Sequence, residues 1–161
     1  MLTNVNLEKI IQILESMKQY ELDLAAFYVM CADLWREDQA FWENLASAEL
    51  RHSDNIQKIR EIIVKKREHF EIDRPFSTVA LNTVFSGLKD NIKRIAEGEF
   101  SRKRILILAR DIEQSVLESH YAEIVKSNDI EYQTLMKEIL SQTYEHKVAI
   151  QKKIDDSASN P

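Results

Sequence analysis

Three residue types that break up most chains are nearly missing from this one. Among its 161 residues there are two glycines, two prolines and one cysteine. Pro161 is the last residue, which leaves Pro75 as the only internal proline. So little punctuation excludes a protein made of hairpins and tight loops, and predicts a chain that is almost entirely helical. With Cys31 alone, neither a disulfide framework nor an iron or zinc centre built on four cysteines can form, and a reducing, cytoplasmic setting fits. No apolar run approaches the roughly 18 residues of a membrane span. Met1 to Asn6 lack the basic and apolar regions of a secretory signal, so a soluble protein with no membrane partner is expected. A positive excess is missing too: 22 Lys and Arg against 27 Asp and Glu give a net charge of -5. That balance argues against a nucleic-acid partner. The clusters Lys65-Lys66-Arg67 and Arg102-Lys103-Arg104 read as solvated helix ends.

What is present is amphipathic helix. Charged residues make up 30% of the chain and hydrophobic ones 44%, enough for one domain with a real core. Apolar steps of three and four place helices at about 6–36, 39–69, 101–127 and 130–154. The knots Arg36-Glu37-Asp38-Gln39 and Ser127-Asn128-Asp129 read as tight turns, each between antiparallel neighbours. Residues 70–100 read as a long crossover with one short helix of its own, closed by Gly98, and Ser101 as the N-cap of the next helix. Residues 155–161 form a polar tail expected to fray. The fold class is therefore all-α, an antiparallel four-helix bundle with one long crossover, the arrangement of ferritin-like bundles.

The second helix is where chemistry enters. Its stripe is Trp42, Leu45, Ile56, Ile59 and Ile63, and the two positions it skips are Glu49 and His52. An acid and an imidazole thus occupy core positions one turn apart, where ionisable groups are costly unless paired or metal-bound. On the first helix the stripe Leu7, Ile10, Leu14, Met17, Glu21, Leu24, Tyr28, Cys31 and Trp35 holds one acid, Glu21. The chain then repeats itself, Ser47-Ala48-Glu49-Leu50-Arg51-His52 aligning with Ser141-Gln142-Thr143-Tyr144-Glu145-His146. Glu21 maps to Glu113 or Gln114. The apolar neighbours Leu106, Ala109 and Val116 favour Glu113, whereas the spacing of Tyr28 and Tyr121 favours Gln114. Two half-sites result: Glu21, Glu49 and His52, and Glu113, Thr143 and His146. Thr143 stands where a second glutamate would complete the repeat, and Glu145 points about 100° away from His146.

A single Glu on one helix and Glu-x-x-His on the next, given twice, resembles the ferritin-like di-iron carboxylate proteins, and among them the rubrerythrin-like branch. The resemblance covers the four long helices. It implies a metal site of Glu21, Glu49, His52, Glu113 and His146, with Glu49 as a bridge, Glu21 and Glu113 as terminal or bridging ligands, and the two histidines as end caps. It implies iron, as one or two ions, with manganese or zinc as alternatives. The activity implied is oxidation of ferrous iron or reduction of peroxide, an oxidoreductase of the peroxidase or ferroxidase kind. Rubrerythrins also carry a four-cysteine centre that this chain lacks, so the electron donor would be a separate protein. Thr143 departs from the pattern, and it leaves open a rival reading: a metal-free helical scaffold or interaction protein in which the same residues form a buried ion-pair network. His120 lies too far along its helix to share the ion and is expected to be partly exposed, as is His69. Tyr20, Tyr28 and Tyr121 read as core or boundary aromatics, although a tyrosine in such a site can donate to a ligand. Cys31 reads as a small buried apolar residue. A homodimer is expected from base rates, with Phe76, Val79, Leu81 and Phe85 of the crossover as its surface.

Overall fold

A computed structural model describes residues 1–74, 78–119 and 121–159. Among these, five α-helices account for most of the chain: α1 Asn4–Leu34, α2 Gln39–Lys65, α3 Thr78–Ala96, α4 Arg102–Glu118 and α5 Ile130–Ser159. Two strands of three residues each, β1 Phe70–Ile72 and β2 Val125–Ser127, form a small antiparallel sheet. Helix α1 lies along α2, α4 along α5, α2 against α5, and α3 on the outside of α1.

The apolar stripes become the core. Ile10, Leu14, Met17, Leu24, Tyr28 and Cys31 of α1 are all buried, as are Trp42, Leu45, Ile56, Ile59 and Ile63 of α2. They join Leu106, Ala109, Val116, Ile139 and Ile150 in one cluster. Each fully buried aliphatic side chain contributes about 1.5–3 kcal/mol, so the helices are held by their inward faces rather than by propensity. Thr3 starts α1 two residues before Asn6, because its hydroxyl accepts from the Asn6 amide at 3.1 Å. Ser101 caps α4 as expected, accepting from the Arg104 amide.

The boundaries at one end of the molecule differ from the sequence expectation. The second helix stops at Lys65 rather than near His69, and the third stops at Glu118 rather than 127. Both chains there turn into strands, with Phe70 opposite Ser127, Glu71 opposite Lys126 and Ile72 opposite Val125. The Ser127 hydroxyl donates to the His69 carbonyl, and Asp129 caps α5 by accepting from the Tyr132 amide. Phe70 is wholly buried, edge-on to Tyr132 at 5.2 Å. A stripe of helical spacing is thus overridden by a pairing between segments distant in sequence, which no local pattern encodes.

The expected tail is also helix. Helix α5 runs on to Ser159 because Ser157 accepts from Arg102 at 2.8 Å and Lys153 reaches Asp38 at 2.8 Å. Asp38, in what reads as a tight polar turn, is buried at 3% exposure, and Arg102 donates to both of its oxygens at 2.6 and 3.0 Å. Helix α3 is the helix expected within the crossover, and it buries Leu88 and Ile95. Phe85 packs on Tyr20 of α1 at 5.0 Å between ring centres. Phe76 and the side chains of Val79 and Leu81, the rest of the expected dimer surface, lie outside the described residues. Among the described residues, no helix is long and apolar enough to cross a membrane.

Candidate metal centre

All five residues singled out in the sequence meet at one place. Glu21 comes from α1, Glu49 and His52 from α2, Glu113 from α4 and His146 from α5. The four from α1, α2 and α4 are at most 3% exposed, and the His146 side chain is 12% exposed. They form two groups that could hold a metal ion, Glu21 with Glu49 and His52, and Glu49 with Glu113 and His146. Within each group one ligand atom per residue lies within 4.8 Å of the others. Glu49 belongs to both. Helical geometry explains the first group: Glu49 and His52 share a face one turn apart, and α1 brings Glu21 alongside.

The two oxygens of Glu49 divide between the histidines. Oε2 lies 2.8 Å from His52 Nδ1, and Oε1 lies 2.9 Å from His146 Nδ1. His146 Nδ1 is also 3.5 Å from Glu113 Oε1, and the two imidazoles lie nearly parallel with centres 5.8 Å apart. Although close, Glu49 Oε1 and His146 Nδ1 have no aligned hydrogen bond among the described residues. A buried polar atom left so costs about 1–3 kcal/mol. Two ligand atoms at right angles around an ion roughly 2.1 Å from each stand about 3 Å apart. Carboxylate oxygens and imidazole nitrogens aimed at a shared space, short of mutual alignment, suit a divalent cation with mixed oxygen and nitrogen ligands.

Electrostatics distinguishes the three acids. Burial and the neighbouring charge of Glu49 push Glu21 well above the usual carboxylate range. Burial and the same charge raise Glu113 to about 7, against opposing contacts from His146 and Tyr28. Burial also acts upward on Glu49, but contacts from His146 and His52 outweigh it and hold this carboxyl well below its ordinary value. Burial would lower His146, yet Glu113 and Glu49 raise it to about 10. Without a metal, the centre therefore keeps one ionised carboxylate and stores protons on its partners. A cation would have to displace those protons.

Other expectations resolve at this centre. Glu113 enters it, whereas Gln114 turns its amide to Glu118 on its own helix at 2.6 Å. Thr143 is buried at 1% exposure and donates to the Ile139 carbonyl at 2.8 Å, so its hydroxyl is bound to its own helix. Glu145 is exposed, as its angle requires. Tyr28, read as a core aromatic, donates its hydroxyl to Glu113 Oε1 at 2.5 Å. Tyr121 is buried with a hydroxyl lacking a partner among the described residues, and it borders, with Glu21 and Phe85, a cavity of about 20 Å³. That is room for about one water. Gln142 was not singled out by any stripe, yet its Oε1 lies 2.7 Å from His52 Nε2. The one sequence signal for it is the repeat, where Gln142 stands opposite the buried Ala48. Cys31 is buried, and burial raises its thiol. His69 is exposed beside Glu68. His120 lies outside the described residues.

The chain matches no known family model, no curated protein and no solved structure, so the chemistry of the centre alone supports a functional reading.

Proposed function

We propose that this protein binds a pair of divalent metal ions, iron foremost and manganese or zinc as alternatives, in a rubrerythrin-like, ferritin-like bundle of α1, α2, α4 and α5. The observation that carries the reading is the disposition of Glu49, whose two oxygens each face one imidazole nitrogen while a further carboxylate serves each side. A carboxylate so placed is suited to bridge two cations. Glu21 with His52, and Glu113 with His146, would complete the ligands on either side. Bound iron would supply the electron transfer behind ferrous oxidation or peroxide reduction.

The chain's own residues supply the rest. The buried apolar side chains Leu24, Ile56, Ala109 and Ile139, one helical turn from Glu21, His52, Glu113 and Thr143, would keep bulk water from the centre and strengthen the charge interactions within it. Tyr28 orients the Glu113 carboxylate through its hydroxyl. Glu113 holds a proton in the metal-free centre and would release it when a cation binds. A reductant would be a separate electron-donor protein, and a cytoplasmic location belongs to the same reading.

One observation favours a second reading, a metal-free scaffold. Thr143 supplies no carboxylate, and its hydroxyl is already bound to Ile139. The histidine–glutamate separations would then be those of a buried ion-pair network. Elemental analysis separates the two. Protein expressed in iron-rich medium and purified without chelator or affinity metal should carry close to two ions per chain. One ion would restrict the site to Glu21, Glu49 and His52, and a folded protein with none would establish the scaffold.

A further inference from the structure

We propose that the cavity between Tyr121 and Glu21 is a binding site for one water, or for a neutral molecule of similar size, and that Phe85 closes it from outside. The cavity measures about 20 Å³, and its polar border is Glu21, Ser119 and Tyr121. Tyr121 is 6% exposed, and its hydroxyl has no partner among the described residues. A buried donor left so is destabilising, and a phenol carries its proton at neutral pH. Of the charges around it, the Glu21 carboxylate acts on it most strongly. A water placed here accepts from Tyr121 and donates to Glu21, the two partners that a buried water requires. The Ser119 hydroxyl donates to the Val116 carbonyl at 2.6 Å, and its oxygen keeps lone pairs for a third contact.

The walls decide what else can enter. The remaining border includes Met17, Phe85 and the Tyr20 ring, and among the described residues no basic side chain reaches it. An anion would therefore lie against the Glu21 carboxylate without a counter-charge from the walls. A second cavity of about 20 Å³ shares Met17 and Tyr121, but aliphatic side chains such as Ile10, Ile59 and Met136 complete it. Tyr132, also there, already reaches the Val125 carbonyl at 3.5 Å. Lacking a carboxylate, that second space stays dry. Phe85 is partly buried, comes from α3 on the outside of α1, and packs on the Tyr20 ring at 5.0 Å between centres. A ligand arriving from that side passes Phe85 and then meets Tyr121 and Glu21. Since Glu21 belongs to the candidate centre, the cavity is a route by which a small neutral ligand reaches a bound ion. That consequence rests on the metal-binding reading; the water site rests on the cavity alone.

The test begins with crystals of the full chain, treated with chelator, as wild type and as Tyr121→Phe, which removes only the hydroxyl. Wild type should show one ordered water within hydrogen-bond distance of the Tyr121 hydroxyl and a Glu21 oxygen, and Tyr121→Phe should lose it. An empty cavity in wild type, or a water that stays in Tyr121→Phe, would overturn the site. Nitric oxide, a neutral diatomic probe, is then mixed with ferrous-loaded wild type, Phe85→Ala and Phe85→Trp, and its association is followed by visible absorption. Phe85→Ala should react about 2–10-fold faster, the factor set by holding an aromatic side chain off its rotamer, and Phe85→Trp more slowly than wild type. Helical circular dichroism confirms that each variant is folded. Equal rates in all three would overturn the closure by Phe85. If wild type takes up no ferrous ion, the metal reading fails and the route with it, and diffraction alone decides the water site.

Discussion

In metal-free protein, stability should fall as pH rises from 5 to 8, the reverse of a domain held by ordinary ionised carboxylates. Glu113 has a folded pKa of about 7, above its ordinary 4.5. The folded state therefore holds a proton that the unfolded chain gives up near 4.5, and this stabilisation is lost as pH climbs toward 7. Glu21, raised in the same direction, adds to it. His146, raised from 6.5 to about 10, contributes stability that is complete below 6.5 and declines above it. Glu49, held low, contributes stability already complete above 4.5, so it leaves the slope from 5 to 8 unchanged. One proton held across about 2.5 pH units is worth roughly 3 kcal/mol. Because these groups share charge, the combined fall is set at roughly 2–4 kcal/mol. Urea unfolding of chelator-treated protein at pH 5, 6, 7 and 8 measures it, and Glu113→Gln should flatten the profile. Stability that rises over this range, or an unchanged slope in Glu113→Gln, would refute the account of the centre as a proton store. Metal should act in the opposite sense, with affinity rising with pH as the stored protons become easier to displace.

Three further outcomes follow from the geometry. Asp38→Asn should cost about 1.5–3 kcal/mol in chemical denaturation, since it weakens charge-assisted bonds to Arg102 and Lys153; the Asp38 carboxyl is held low by these partners, so its contribution exists above pH 4 and fades in acid. Tyr28→Phe should leave Glu113 without a buried donor, raising the pKa of that carboxyl and lowering the melting temperature by a few degrees, which NMR titration and calorimetry would detect; an unmoved Glu113 would count against the Tyr28 contact. Thr143→Glu should raise metal occupancy by elemental analysis, and no gain would mean that the α5 backbone aims this position away from the ions.

The inward acids and imidazoles were legible in the sequence because helical spacing is a local, repeating property. A side chain at a stripe position must face the core once the helix forms; Glu21, Glu49 and His52 each interrupt such a stripe, and the repeat carries His52 onto His146. The same logic favoured Glu113 over Gln114, since apolar neighbours on a helix surface mark the face that is buried. The short turn after Leu34 and the dearth of glycine and proline likewise made a helical protein the expected outcome.

What only the tertiary structure decided depends on partners distant in the chain. Glu49 faces both histidines because α2 and α5 pack together, which no spacing within α2 expresses. Phe70 to Ile72 and Val125 to Ser127 leave the helical pattern because they satisfy one another's backbone groups. Asp38 is buried because Arg102 and Lys153 arrive from α4 and α5, and Ser159 remains helical for the same reason. Gln142 and Tyr28 acquire their roles from what lies across the interface, His52 and Glu113, so their importance could be read only after the helices had met. Spacing along one helix determines which face is inward, and packing between helices determines what that face can do.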